Sequence, residues 1–85
     1  MKIYSISVLE GEYNGKAYTN VFVYYESERV EKYIVKPLQH FKIKKRDLDS
    51  VMEDYKIKDY SELIGRKFTK LYYDRYGNVN DIRFE

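Results

Sequence analysis

The side chains most often used in catalysis are scarce in this chain of 85 residues. His40 is the single histidine, and there is no cysteine. A nucleophile and its base would therefore have to assemble from His40, one of the scattered serines and one of many acidic residues. His40 also follows Pro37-Leu38-Gln39, a segment that predicts a loop. We therefore expect no catalytic residue and a protein that is not an enzyme.

Acidic side chains between residues 47 and 54 could offer oxygen ligands to a metal ion. A calcium loop, however, alternates its acidic positions, places a glycine among them and ends on a distal glutamate, and this stretch does not. Asp49, Glu53 and Asp54 instead fall on the solvated side of a predicted helix. A glycine-rich phosphate loop is also missing, because the glycines stand singly at turns. They are Gly11, Gly15, Gly65 and Gly77. We expect neither a metal nor a cofactor.

One stretch is basic and lies among aromatic residues. Residues 29–46 carry seven Lys or Arg and one Glu, a net charge of +6, although the whole chain is only +2. A weakly charged protein can therefore present one basic surface. Single-stranded DNA or RNA suits such a surface, because cations follow phosphates and aromatic rings stack on bases. The candidate phosphate contacts are Lys32, Lys36, Lys42, Lys44 and Arg46, and the candidate stacking rings are Tyr24, Tyr33 and Tyr73.

The same residue types also have a purely structural explanation. Lysines on exposed strands discourage aggregation at sheet edges, and tyrosine fits half-buried strands. The net charge of +2 is below that of a dedicated nucleic-acid-binding protein. The alternative is a protein-interaction module that binds a host or element-encoded protein through a strand edge, or that forms a dimer. Its contacts would be the residues beside the predicted hairpin turns, Tyr13, Tyr18, Arg75 and Tyr76.

Two strands that form a hairpin are predicted at the start of the chain. Lys2–Leu9 alternates apolar and polar residues, which is typical of a half-buried strand. Asn14-Gly15 then provides the positive φ angles of a tight hairpin turn. Ala17–Glu26 is apolar on both faces, which indicates a central strand.

The segments that follow are predicted with less regular patterns. Val30–Lys36 predicts a third strand that ends at Pro37, because proline cannot donate a ladder hydrogen bond. Phe41–Lys44 resumes the alternation as a short continuation or a separate edge strand.

One helix is predicted near residues 47–55. Its apolar stripe, with the spacing i, i+3, i+4, i+7, consists of Leu48, Val51, Met52 and Tyr55. Asp47 suits the N-cap, and Asp59–Glu62 has capping-box spacing for one further short turn that Gly65 ends. Arg66–Tyr73 and Val79–Phe84 predict a second hairpin.

The resulting order, β-β-β-α-β-β, limits the possible folds. We expect one mainly β (α+β) domain over residues 1–85, a small five-stranded barrel like the oligonucleotide/oligosaccharide-binding (OB) fold. In that fold a helix between strands three and four closes one barrel end. The alternative is a different α+β sheet packed on one helix.

Two stretches resemble a known group of proteins. Leu9-Glu10-Gly11-Glu12-Tyr13-Asn14-Gly15-Lys16-Ala17-Tyr18-Thr19-Asn20 resembles an E-G-x-Y-x-G-K-x-Y-x-N opening. A second pattern, I-G-K-x-(x)n-Y-[DN]-R-Y-G-x-V, is found toward the C-terminal end of the same proteins. It is resembled here by Leu63-Ile64-Gly65-Arg66-Lys67-Phe68 followed by Tyr73-Asp74-Arg75-Tyr76-Gly77-Asn78-Val79. Both patterns are similar to those of short accessory proteins of phages and integrative conjugative elements of low-GC Gram-positive bacteria. The resemblance implies a mobile-element setting but no settled activity and no catalytic residue.

The start of the chain indicates a location inside the cell. Residues 1–5 lead directly into a strand rather than into the apolar stretch of a signal peptide. No apolar run in the sequence approaches the roughly 20 residues that span a bilayer. We expect a cytoplasmic protein without a membrane partner.

Overall fold

A computed structural model describes residues 1–27 and 38–85. Within these residues, five strands, one α-helix and a short 3-10 helix follow one another along the chain. They are β1 (Lys2–Tyr13), β2 (Lys16–Glu26), β3 (Leu38–Lys44), α1 (Lys45–Asp54), the 3-10 helix (Tyr60–Glu62), β4 (Phe68–Tyr73) and β5 (Val79–Phe84). The predicted mainly β class, with five strands and one helix, is confirmed. None of the helices in this part of the chain is long and apolar enough to cross a membrane.

All five strands belong to one sheet in the order β1-β2-β3-β5-β4. Neighbouring strands are antiparallel except β3 and β5, which run parallel and pair Ile43 with Val79. The ladders leave an open sheet with β1 and β4 at its two edges. The chain leaves β3 in the middle of the sheet, passes through α1 to the edge strand β4, and returns through β5, which pairs with β3.

The two edge strands meet at one corner of the molecule. The amide of Ile3 donates to the carbonyl of Arg66 at 2.9 Å, and the amide of Gly65 donates to the carbonyl of Ile3 at 2.8 Å. An isolated antiparallel bridge joins Lys2 to Lys67. The start of β1 is therefore fixed beside the start of β4.

The third strand differs from the prediction. It begins at Leu38, and Phe41–Lys44 lies between β2 and β5, so of the two predicted alternatives the separate edge strand is wrong. His40, predicted to lie in a loop, is part of this strand and pairs with Tyr24. The sequence did not indicate these residues because ladder hydrogen bonds come from the backbone and need no alternation of side chains. The predicted strand Val30–Lys36 lies outside the described residues.

The first hairpin is confirmed. Tyr13 pairs with Lys16 across the turn, and Asn14 and Gly15 have φ angles of 51° and 76°. A two-residue turn of this kind requires positive φ at both central positions, which Asn and Gly adopt most readily.

Helix α1 begins two residues earlier than predicted. Lys44 is its N-cap and provides no side-chain hydrogen bond, so the prediction of Asp47 as the cap is wrong; Asp47 lies in the first turn. The strand β3 runs into the helix without a linker, so the N-cap position falls on the last residue of the strand. The 3-10 helix is capped by Asp59, whose carboxylate accepts from the amide of Ser61 at 3.2 Å.

The core lies between α1 and the inner face of the sheet. Leu48, Val51 and Met52 of the predicted stripe are buried and pack with inward residues from all five strands, whereas Tyr55 lies at the C-cap beyond the helix and is half-buried. Those inward residues are Ile3, Val21, Val23, Tyr25, Phe41, Ile43, Phe68, Val79, Ile82 and Phe84. The burial of these side chains supplies most of the stabilisation, since apolar area removed from water contributes about 25 cal/mol per Å².

Asp74 closes the turn between β4 and β5. Its Oδ1 accepts from the amides of Tyr76 at 2.9 Å and Asn78 at 3.0 Å. Desolvation opposes ionisation, but the hydrogen bonds from Asn78 and Tyr76 and the charge of Lys44 outweigh it. Together they hold the pKa of Asp74 below its ordinary value.

The lowered pKa of Asp74 predicts a pH dependence of stability. A carboxylate with a depressed folded-state pKa stabilises the protein above its unfolded pKa of about 3.9. That stabilisation is lost as the pH falls through the folded-state value. We expect the urea midpoint to fall further between neutral pH and acid pH in the wild type than in Asp74→Asn, which cannot ionise. Equal falls in the two proteins would contradict the assignment.

Candidate nucleic-acid interface

The outward side of β1, β2 and β3 carries three rungs of paired residues, which we call the outer face. The strand register pairs each β2 residue with one neighbour on β1 and one on β3. The rungs are Ser5–Tyr24–His40, Ser7–Phe22–Lys42 and Leu9–Asn20–Lys44. Successive side chains of a strand point to opposite faces, so the residues between these, such as Val21, Val23 and Ile43, face the core.

Three aromatic rings adjoin one another on the outer face. The ring of His40 lies 5.6 Å from that of Tyr24 and 6.4 Å from that of Phe22, measured between centroids. His40 is exposed, and Phe22 and Tyr24 are half-buried. These rings offer flat surfaces on which bases could stack.

Cationic side chains follow the rings along β3. Lys42 and Lys44 are exposed, because they alternate with the buried Phe41 and Ile43. Lys42 makes no ion pair within residues 1–27 and 38–85. Lys44 lies near enough to Asp74 to lower the pKa of that carboxyl. The outer face thus has rings on β2 and at His40 of β3, with the lysines farther along β3.

The structure brings some of the predicted site residues together and separates others. Tyr24, Lys42 and Lys44 share the outer face, and Arg46 follows two residues after Lys44, in the first turn of α1. Tyr73 pairs with the buried Val79 and so points to the inner face of the sheet. Because it lies at the end of β4, it is nevertheless 58% exposed. It is not on the outer face. Lys32, Tyr33 and Lys36 lie outside the described residues.

Phe22 and His40 are site residues that sequence reasoning missed. The alternation of β2 would have identified Phe22, because Phe22 and Tyr24 point to one face of the sheet. The residues between and beside them, Val21, Val23 and Tyr25, point to the core. Tyr25 itself belongs to the core, where burial raises the pKa of its phenol. Its hydroxyl donates to Oε1 of Gln39 at 3.0 Å. His40 had no such signal, since the predicted strand began only at Phe41 and His40 was assigned to a loop.

A second group of cations lies on β4 and β5, but its ring is already covered. Nζ of Lys70 lies 4.8 Å from the ring centroid of Tyr72, and Cζ of Arg83 lies 5.8 Å from it. No cation from the described parts of the chain lies over Phe22 or Tyr24. The rings of the outer face are therefore more accessible to a base than Tyr72 is.

Comparison of the chain with protein-family models, with curated proteins and with solved structures gave no match. The candidate site therefore rests on its geometry and chemistry alone.

Proposed function

We propose that this protein is not an enzyme and binds single-stranded nucleic acid through the outer face. The observation that supports the proposal is the arrangement of Phe22, Tyr24 and His40 beside Lys42 and Lys44 on adjoining strands. Bases would stack on the rings, and phosphates would pair with the lysines. The resemblance of the two hairpin motifs to accessory proteins of mobile elements extends the proposal to a cytoplasmic role in their DNA transactions.

The spacing of the rungs favours single strands over duplexes. Successive rungs are two residues apart along a strand, a distance of about 6.8 Å. Stacked bases within one strand of a duplex are separated by only about 3.4 Å. Bases held on successive rungs therefore cannot stay stacked on each other. An extended single strand meets this condition without breaking base pairs.

We also propose that the five strands close into an OB-like barrel. The hydrogen bonds of Ile3 with Arg66 and Gly65, and the bridge from Lys2 to Lys67, support this closure because they join the two edge strands. The position of α1 between β3 and β4 is also that of the OB fold, which binds oligonucleotides on strands two and three.

A salt titration of oligonucleotide binding tests the proposal. Labelled oligothymidine of about ten nucleotides is titrated at low salt, and the affinity is measured again as the salt rises. A site with two or three phosphate contacts should give a slope of about −1.4 to −2.1 in log K against log salt for a single strand. A blunt duplex of the same length should bind more weakly. Absence of binding at tens of micromolar protein would overturn the proposal.

A matched pair of charge reversals locates the site. Lys42→Glu with Lys44→Glu should abolish the salt-dependent binding, because both charges lie on the outer face. Lys56→Glu with Lys58→Glu changes the net charge by the same amount beyond the end of α1, and should leave most of the affinity. Equal losses in both variants would indicate attraction to net charge rather than a site.

A second candidate function is favoured by the free edge of β1. No strand from the described residues pairs with β1 on the side away from β2 between Ser5 and Tyr13. Val8 and Leu9 on this edge are 45% and 49% exposed. A partner could add a strand there by backbone hydrogen bonding. Where the partner is a second copy of this chain, strand addition produces a dimer that analytical ultracentrifugation detects. Self-association that Leu9→Lys abolishes would favour strand addition.

A further inference from the structure

A cationic groove continues the outer face beyond its third rung. The groove has a volume of about 360 Å³ and lies between β2 and the start of α1. Its walls are formed by Tyr18, Thr19, Asn20, Lys44, Lys45 and Arg46. Asn20 and Lys44 also form the third rung. The groove and the outer face are therefore one continuous surface.

The ring of Tyr18 lies against a glycine on the neighbouring strand. Gly11 pairs with Tyr18 across the hairpin, and a Cβ atom at Gly11 would overlap the phenol ring of Tyr18. The ring thus lies across the glycine, and Tyr18 remains 41% exposed. One side of the ring is therefore against the backbone of β1, and the exposed part is available for a base to stack on.

The cations of the groove differ in their availability. Nζ of Lys45 forms an ion pair with Oδ2 of Asp49 at 2.6 Å. Nε of Arg46 has a looser contact of 3.7 Å with Oδ1 of Asp47, and the Arg46 side chain is 82% exposed. Arg46 and Lys44 are therefore better placed than Lys45 to receive a phosphate.

We infer that the groove binds the continuation of the single strand held by the outer face, an inference that rests on the proposed function. Tyr18 stacks on one further base, and Lys44 and Arg46 contact the adjoining phosphates. Tyr24, Phe22, Asn20 and Tyr18 are alternate residues of β2, so the path covers about 20 Å. Four positions along this path correspond to about four nucleotides, at the lower end of the range for one OB-like domain. Oligonucleotides shorter than this cannot use both parts of the site.

A length series of oligothymidines tests the inference. Fluorescence anisotropy with oligomers of about two to ten nucleotides should show affinity that rises up to about four nucleotides and then increases only slowly. Tyr18→Ala and Arg46→Glu should each weaken the binding of the longer oligomers by roughly five-fold or more, and leave the two-nucleotide oligomer nearly unchanged. Gly11→Val should produce the same pattern, because it keeps Tyr18 but displaces its ring.

The controls separate this inference from the proposed function. Tyr13→Ala removes a ring that is 73% exposed on the same hairpin but outside the groove, and it should not alter binding at any length. If Tyr24→Ala weakens binding but Tyr18→Ala, Arg46→Glu and Gly11→Val have no effect at any length, the groove inference is wrong and the proposed function stands. If Tyr24→Ala has no effect either, the proposed function fails as well. Circular dichroism of each variant shows whether the fold is retained.

Discussion

Phe68→Ala should lower the free energy of unfolding by about 3–5 kcal/mol, the usual cost of removing a buried aromatic ring. Phe68 is only 1% exposed, and its ring packs edge-on against Tyr25 at 5.1 Å and against Phe41 at 5.9 Å. A domain of 85 residues is stabilised by about 4–13 kcal/mol in total. The substitution therefore removes a large share of the stability and leaves a cavity where three elements meet.

Urea denaturation followed by circular dichroism measures this loss. Phe68→Leu should cost less than Phe68→Ala, because it leaves a smaller cavity. Tyr76→Ala removes a ring that is 74% exposed in the turn between β4 and β5, and should change the stability by no more than about 0.5 kcal/mol. A similar midpoint for Phe68→Ala and Tyr76→Ala would show that the ring cluster does not stabilise the fold as described.

Tyr24→Ala should weaken the binding of single-stranded oligonucleotide by about 1–3 kcal/mol, which is roughly 5- to 150-fold. Tyr24 occupies the middle of the first rung, with His40 on one side and Ser5 on the other. Its ring is the candidate platform for one base. Fluorescence anisotropy at low salt gives the affinity. Tyr24→Phe retains the ring and should retain most of the binding.

Two further measurements make the Tyr24 prediction specific for stacking. Tyr72→Ala removes another half-buried ring of the sheet, which Lys70 and Arg83 already cover, and should have little effect. An oligonucleotide without bases should bind the wild type and Tyr24→Ala equally, because it offers nothing to stack. Equal losses for Tyr24→Ala and Tyr72→Ala would contradict a stacking site on the outer face.

Features set by neighbouring residues were predictable from the sequence. The Asn14-Gly15 turn requires two positive φ angles that these residue types adopt readily, and the apolar stripe of α1 follows from the helical repeat. The exposure of Lys42 and the burial of Ile43 follow from the alternation of a strand. These signals depend on chain geometry over a few residues, and no knowledge of the rest of the fold is needed.

Features set by distant parts of the chain were not predictable in the same way. The backbone of Leu38–His40 forms a strand because β2 is available to pair with it. Tyr73 and Tyr24 are both tyrosines in strands, but Tyr73 pairs with the buried Val79 across a register shift, whereas Tyr24 pairs with the exposed His40. Composition alone could not distinguish Tyr25 in the core from Tyr24 beside it on the outer face, whereas the register of β2 does.

The direct junction between β3 and α1 has a consequence for recognition. Lys44 ends the strand and caps the helix, so no linker lets the charges of the sheet move relative to those of the helix. The backbone positions of Lys42, Lys44 and Arg46 are therefore fixed relative to one another before a ligand arrives. A flexible polymer can adapt to such a fixed template, whereas a rigid polyanion must already have the matching charge spacing.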